Sequence, residues 1–331
     1  MRIATSTAYD RGTSAILREN ADLNKTLLQI ATGKRILSPA DDPADSARVL
    51  GLTQQKELTE KYQDNIIATK INLEISDATL EGVVSALQRI REITIQANND
   101  TYDADQRKAL SYEVKQVADG LISSANQVNG QGEYLFAGYR NDTMPFVTGA
   151  NGEVSYQGSQ DRKNIQIGAS RQIPVSDSGY EVFMDIPGAT GFRYNTLDKD
   201  IEPTNISLFK VVSDLEETLR TNESPSVITD SGFENSPETF HDSMERAINN
   251  IDASLKHIVD IQSTMGARHN ATESQRNINA DFLVQVQTSM SDSQDLDYAT
   301  AVSDMKLQQM GLQAAQQSFT KIQSLNLFNF I

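Results

Sequence analysis

Tyr9, Ile16, Leu23, Ile30 and Leu37 recur every seven residues near the start of the chain, and Tyr298, Met305, Leu312 and Phe319 do the same near its end. A seven-residue apolar repeat draws a stripe along a helix that only another helix can cover. Each stripe is narrow. The positions three residues after the first four of the N-terminal set are Gly12, Glu19, Thr26 and Gly33, and the C-terminal set is followed in the same way by Gln308. Neither helix can build a core alone, so the two ends are expected to pair with each other and with neighbouring copies. Ile16, Leu23, Ile30, Leu37, Tyr298, Met305, Leu312, Phe319 and Ile322 form the expected assembly interface.

Charge supports that division. The chain of 331 residues has a formal net charge of -16. Residues 1–42 hold six basic and five acidic side chains, and residues 298–331 hold two and one. The acidity therefore sits in the middle, which faces water, while the near-neutral ends suit packing. Nucleic acid is an unsuitable partner, because phosphate binding needs a basic stripe and none is present. Arg2, Asp10, Arg11, Arg18 and Glu19 interrupt the first twenty residues, so neither a secretory signal nor a membrane span is expected there. With no Cys, no disulfide framework is expected.

Helix signals organise the rest. A first helix is expected from about residues 5–7 to Gly33, a residue suited to a left-handed helix terminus. Asp42 reads as an N-cap, Pro43 as the first helical residue and Asp45 as an acid on the exposed amides. Ile66, Leu73, Leu80 and Leu87, with Val83 and Ile90, then mark a helix of about 80 Å reaching Ala97. Leu110, Val114, Val117 and Leu121 mark a shorter helix. From Gly138 to about Pro203 the chain turns glycine-rich with alternating segments, and Asn151-Gly152 signals a hairpin. Helical spacing resumes at Leu208. Ser236-Pro237 reads as the cap of a helix carrying Met244, Ile251, Ile258 and Met265 to about Met290, with Ser291 to Asp297 as a break. The expected fold is mainly α, a long-helix coiled-coil bundle with its N- and C-terminal helices paired and a small β-rich inserted domain. Residues 1–42 and 296–331 form the terminal assembly domain, 43–138 and 205–295 the long-helix bundle, and 139–204 the insert.

Catalytic constellations are lacking. His241, His257 and His269 are scattered and read as surface helix residues. Asp292, Asp295 and Asp297 lack the glycine and closing Glu of a calcium loop and read as helix-capping residues. No metal, cofactor or enzymatic activity is expected.

Met1-Arg2-Ile3, the run Ile30 to Ile36 with Asp41-Asp42-Pro43, the turn Gly132 to Gly138 with Pro145-Phe146, and Ser324 to Phe328 together resemble the flagellin superfamily, over roughly residues 1–146 and 205–331. The resemblance implies a structural subunit of the bacterial flagellum, exported unfolded through the flagellar type III channel with the help of an export chaperone. Its strongest form points to the junction members of the superfamily, which form a ring of copies between hook-associated protein 1 and the flagellin filament. Their terminal helices pair around the axial channel and their insert projects outward. Leu87 to Ile93 resembles a flagellin packing segment, which makes Arg89 and Glu92 candidate subunit contacts. The rival readings are a flagellin filament subunit and a cytoplasmic coiled-coil regulator. On this division of labour, removing residues 141–202 is expected to leave the helical halves able to pair.

Overall fold

Asp42 begins the longest continuous element of the first half: its Oδ1 accepts the Asp45 backbone N–H at 3.1 Å, and Pro43 occupies the first helical position, where no N–H is needed. In this computed structural model, which describes residues 2–150, 152–189, 206–222 and 239–324, the helices are α1 (Arg2–Thr32), α2 (Pro43–Ala97), α3 (Ala104–Ala125), α4 (Leu208–Thr221), α5 (Phe240–Gln294) and α6 (Tyr298–Ser324). Between α3 and α4 lie two antiparallel hairpins, β1 (Phe146–Thr148) with β2 (Val154–Tyr156) and β3 (Asn164–Gly168) with β4 (Arg171–Pro174), followed by a π-helical turn at Tyr180–Met184.

Local chemistry explains the boundaries. Asp103 and Gln106 form a reciprocal capping box at the start of α3. Ser207 caps α4, which ends on Asn222 in the left-handed region at φ 57. At α5, Thr239 and Asp242 exchange hydrogen bonds: the Thr239 N–H donates to Asp242 at 3.0 Å, and the Asp242 N–H donates back at 3.2 Å. The proposed Ser236-Pro237 cap lies outside the described residues. The expected break from Ser291 is shorter than its polar composition suggested. Helical bonding continues through Gln294, with Asp295 N–H still donating to Ser291 O at 2.9 Å, and Asp297 then restarts the chain as the α6 cap.

The chain divides into two compact units. The central unit, Tyr62–Asn279, holds a large buried core. Its α2 contributes Leu73, Leu80, Val83, Leu87 and Ile90, and α5 contributes Met244, Ile251, Ile258 and Met265, all at the positions read from the heptads. Phe146 sits among Phe183, Phe209 and Tyr156 with ring centroids 5.2–5.4 Å apart. A fully buried ring such as Phe146 or Phe183 contributes roughly 1.5–3 kcal/mol. The hairpin and π-turn residues Phe146, Val154, Val182, Phe183 and Ile186 thus belong to the same core as the helices. Removing residues 141–202 would therefore strip aromatic partners from Phe136 and Phe209. The second hairpin packs Ile167 and Ile173 on Ile66, and Asn65 and Asn279 donate to the carbonyls of Gln166 and Ile167 at 2.8 and 2.9 Å.

The terminal unit, residues 1–61 with 280–331, is built differently. Its buried apolar residues among those described are few, with Val286, Met290 and Ala301 the main ones.

Candidate functional site: the paired terminal helices

Helices α1 and α6 pack against each other in the terminal unit, antiparallel, with Gly12 near Phe319, Glu19 near Gly311 and Gly33 near Tyr298. Ile16, Leu23 and Ile30 on α1 and Met305, Leu312 and Phe319 on α6 are all half-buried. Thr26 is buried at 7% exposure, which shows that the positions three residues after the apolar ladder also face the partner. The small and polar residues that made the stripe look narrow are therefore part of the seam. A Cβ on Gly12 would stand 2.8 Å from Phe319 Cδ2, and one on Gly33 would stand 2.9 Å from Tyr298 Oη. Tyr9 also packs against Phe319, its ring tilted by 50° with centroids 5.1 Å apart.

Of the expected seam residues, Leu37 is placed elsewhere and Tyr298 lies at the exposed edge of the seam. Gly33 adopts φ +70 and ends α1, so the heptad phase is not carried to Leu37, which lies in the following turn at 37% exposure. Tyr298 reaches Gly33 with its hydroxyl but is 54% exposed. The side chain of Ile322 lies outside the described residues. Leu17, Leu28, Leu307 and Met310 are apolar residues on these helices that remain exposed.

The turn below the seam is a polar knot. Gly33 O accepts from Leu296 N–H at 3.0 Å, and Arg35 N–H donates to Gln294 O at 2.7 Å. The Arg35 guanidinium donates to Ser293 O at 2.8 Å and to Asp42 at 3.2 Å, and pairs with Asp45. Lys25 pairs with Asp41 at 2.7 Å, and Asp41 also accepts the N–H groups of Ser38 and Leu37. These bonds to its charged form, that of Lys25 foremost, hold the Asp41 carboxyl at a pKa of about 2. Asp297 accepts from the Thr300 hydroxyl at 2.7 Å and from Ala299 N–H at 3.0 Å, which lowers its pKa and fixes the start of α6. The segment Ile30 to Asp45, conspicuous in the sequence, is thus the part that knots α1, α2 and the end of α5 together.

Elsewhere, Arg89 donates to Glu113 on α3 at 2.7 Å and to Glu92 at 3.0 Å, so the two candidate contact residues bind each other within the chain. His241 meets Asn98 and Asp100, His257 meets the Glu181 carbonyl, and His269 lies 3.8 Å from Glu74. Among the described residues no three His, Asp or Glu side chains cluster as a metal site, and no helix is long and apolar enough to cross a membrane.

A chain that closes its own ends into an antiparallel coiled pair and leaves much of that pair's apolar surface open is a subunit of an ordered assembly. It belongs to the flagellin family. Residues 3–141 match the bacterial flagellin N-terminal helical region, and residues 248–331 match the C-terminal helical region. Flagellar hook-associated protein 3 of Escherichia coli is 27% identical over 330 residues, and that of Salmonella typhimurium 26%, each match spanning 99% of both chains. The flagellin of Aquifex aeolicus is also 27% identical, but over 57% of this chain and 34% of its own. Among solved structures, a flagellar hook-associated protein 3 from Legionella pneumophila shares the fold at a TM-score of 0.61 and 20% identity, over 73% of this chain and 97% of its own.

Proposed function

We propose that this chain is the structural subunit of the hook-filament junction of the bacterial flagellum, working by assembly and without chemical turnover. The observation that carries this reading is the end-to-end match to hook-associated protein 3, set against flagellin matches that cover only part of each chain. The half-buried α1–α6 seam supplies the physical means: apolar surface left over after the chain pairs its own ends is available to adjoining subunits. In this reading copies form a ring, with hook-associated protein 1 on one side and flagellin on the other, after export with a chaperone. Residues 1–42 and 296–331 serve assembly, and the long helices with the β-rich residues 139–204 form the body. Many weak contacts repeated around a ring give strength that no single pair has. Arg89 and Glu92, exposed on one face of α2, are available for contacts between bodies.

The test is a deletion strain complemented with an epitope-tagged full-length chain. The deletion should lack filaments and release flagellin into the medium, and gold label should mark one point per flagellum, between hook and filament. Label along the whole filament would favour the flagellin reading. Label confined to the cytosol, with filaments present in the deletion strain, would refute the assignment.

A further inference from the structure

Gly12 and Gly33 are separated by three heptads on α1, and their partners Phe319 and Tyr298 are separated by three heptads on α6. We infer that these two glycine sockets and the aromatic side chains they receive select the register of the terminal helix pair, so that α1 and α6 of one chain close in a single alignment. The inference rests on the assembly reading above and concerns how the seam selects its own geometry.

The argument is one of space. The apolar ladder of Ile16, Leu23 and Ile30 repeats every heptad, so on its own it would accept α6 slid by seven residues almost as well. The backbone bonds of Gly33 and Arg35 to Leu296 and Gln294 tie down one end of the pair, and the sockets select the alignment along its length. A Cβ on Gly12 would stand 2.8 Å from the Phe319 ring, so the ring would have to shift, and Tyr9 packs against that ring with centroids 5.1 Å apart. Gly33 has the Tyr298 hydroxyl at 2.9 Å from the same point and, at φ +70, a backbone that other residues adopt only with strain. A one-heptad slip in one direction brings Tyr298 level with Thr26, which is already buried. The opposite slip brings Phe319 level with Glu19, whose carboxylate now lies beside Gly311. Either way an aromatic ring meets a side chain where the native alignment offers none, which penalises the wrong pairing as well as favouring the right one. A slip of three heptads could reuse one socket only by giving up most of the overlap.

Because the chain has no Cys of its own, introduced pairs report the alignment directly. Leu23→Cys with Gln308→Cys is in register; Leu23→Cys with Ala301→Cys and Leu23→Cys with Ala315→Cys are one heptad off on either side. Full-length chains carrying each pair are oxidised in detached flagella, and non-reducing gels separate bonds within a chain from bonds between copies. In the parent background only the in-register pair should close. Adding Tyr298→Ala and Phe319→Ala should raise closure of the off-register pairs at least several-fold, whereas Leu312→Ala should lower in-register closure without raising the others. Should the aromatic variant yield no flagella, Gly12→Leu is compared with Gly12→Leu/Phe319→Ala. The second should assemble better, since removing the ring vacates the space the leucine needs. Equal behaviour of the aromatic and Leu312 variants, no gain from the paired change, or no in-register closure in the parent would overturn the inference. Loss of filaments from the parent background itself would instead count against the junction assignment.

Discussion

Arg268 on α5 holds Asp177 through a hydrogen bond from Nη1 to Oδ2 at 2.9 Å and an ion-pair contact of Nη2 with Oδ1 at 2.8 Å, with the two side chains only 10% and 3% exposed. Arg162 approaches the same carboxylate at 3.4 Å and is itself paired with Glu181. This fork joins the polypeptide after β4 to the long helix.

Removing Arg268 takes the hydrogen-bonded partner from the buried Asp177 carboxylate and leaves it only the half-exposed Arg162 at 3.4 Å. Arg268→Ala should therefore cost the central unit about 1.5–3 kcal/mol, and Arg268→Ala/Asp177→Ala should recover part of that loss. Urea unfolding of the purified chain measures both. A single-variant loss under about 1 kcal/mol would mean that water reaches the pair.

Phe183 lies edge-on to both Phe136 and Phe146, with no exposed surface. Phe183→Ala should destabilise the central unit by about 3–5 kcal/mol through the cavity it opens. Deleting residues 141–202 should go further and abolish its cooperative melting. A deletion variant that still melts cooperatively with its full helical signal would show that the helices close without these side chains.

Leu312→Asp places a carboxylate on the half-buried face of α6. Its desolvation on closing the seam is costly, so assembly should fail while the melting of the central unit is unchanged and the chain is still exported. Normal junctions in electron micrographs of the variant strain would remove Leu312 from the packed seam.

The turn between α1 and α2 should be sensitive to acid. Asp41 has its pKa lowered to about 2 by Lys25 first and by the Ser38 and Leu37 N–H groups. A depressed carboxylate stabilises the fold fully above its unfolded pKa of about 4, and that contribution disappears as pH falls from there through about 2. Asp42 and Asp297 are shifted in the same direction. Carboxyl resonances followed by NMR should show Asp41 titrating near pH 2. Amide exchange at residues 35–42 should accelerate over the same range, and Asp41→Asn should flatten that dependence. An Asp41 titration near pH 4 would contradict the Lys25 contact.

The long helices were legible in the sequence because their determinants are local and periodic. Asp42-Pro43 announced the start of α2, Asn98 its end, and the heptads of Leu73, Leu80 and Leu87 and of Met244, Ile251 and Ile258 identified buried residues directly. Leu37 was misplaced by the same reasoning, since periodicity carries a ladder forward until something breaks it, and the positive φ of Gly33 does so. The run from Ser291 looked like a break because polar residues cluster there, yet helical hydrogen bonds do not depend on side-chain polarity, and only Asp297 supplies a new cap.

The tertiary structure decided what depends on residues far apart in the chain. Gly12 reads as a gap in a narrow stripe and Gly33 as a helix terminus, and only the approach of Phe319 and Tyr298 turns them into sockets. The glycine-rich middle read as a small β-rich insert in a helical body, and only the placing of Phe146 and Phe183 beside Phe136 and Phe209 shows which of its side chains join the core. Sequence determines where a helix starts, where it stops and which stripe is apolar, because capping and periodicity act over a few residues. What fills that stripe is set by shape at close contact, and that is fixed only when the distant partner arrives.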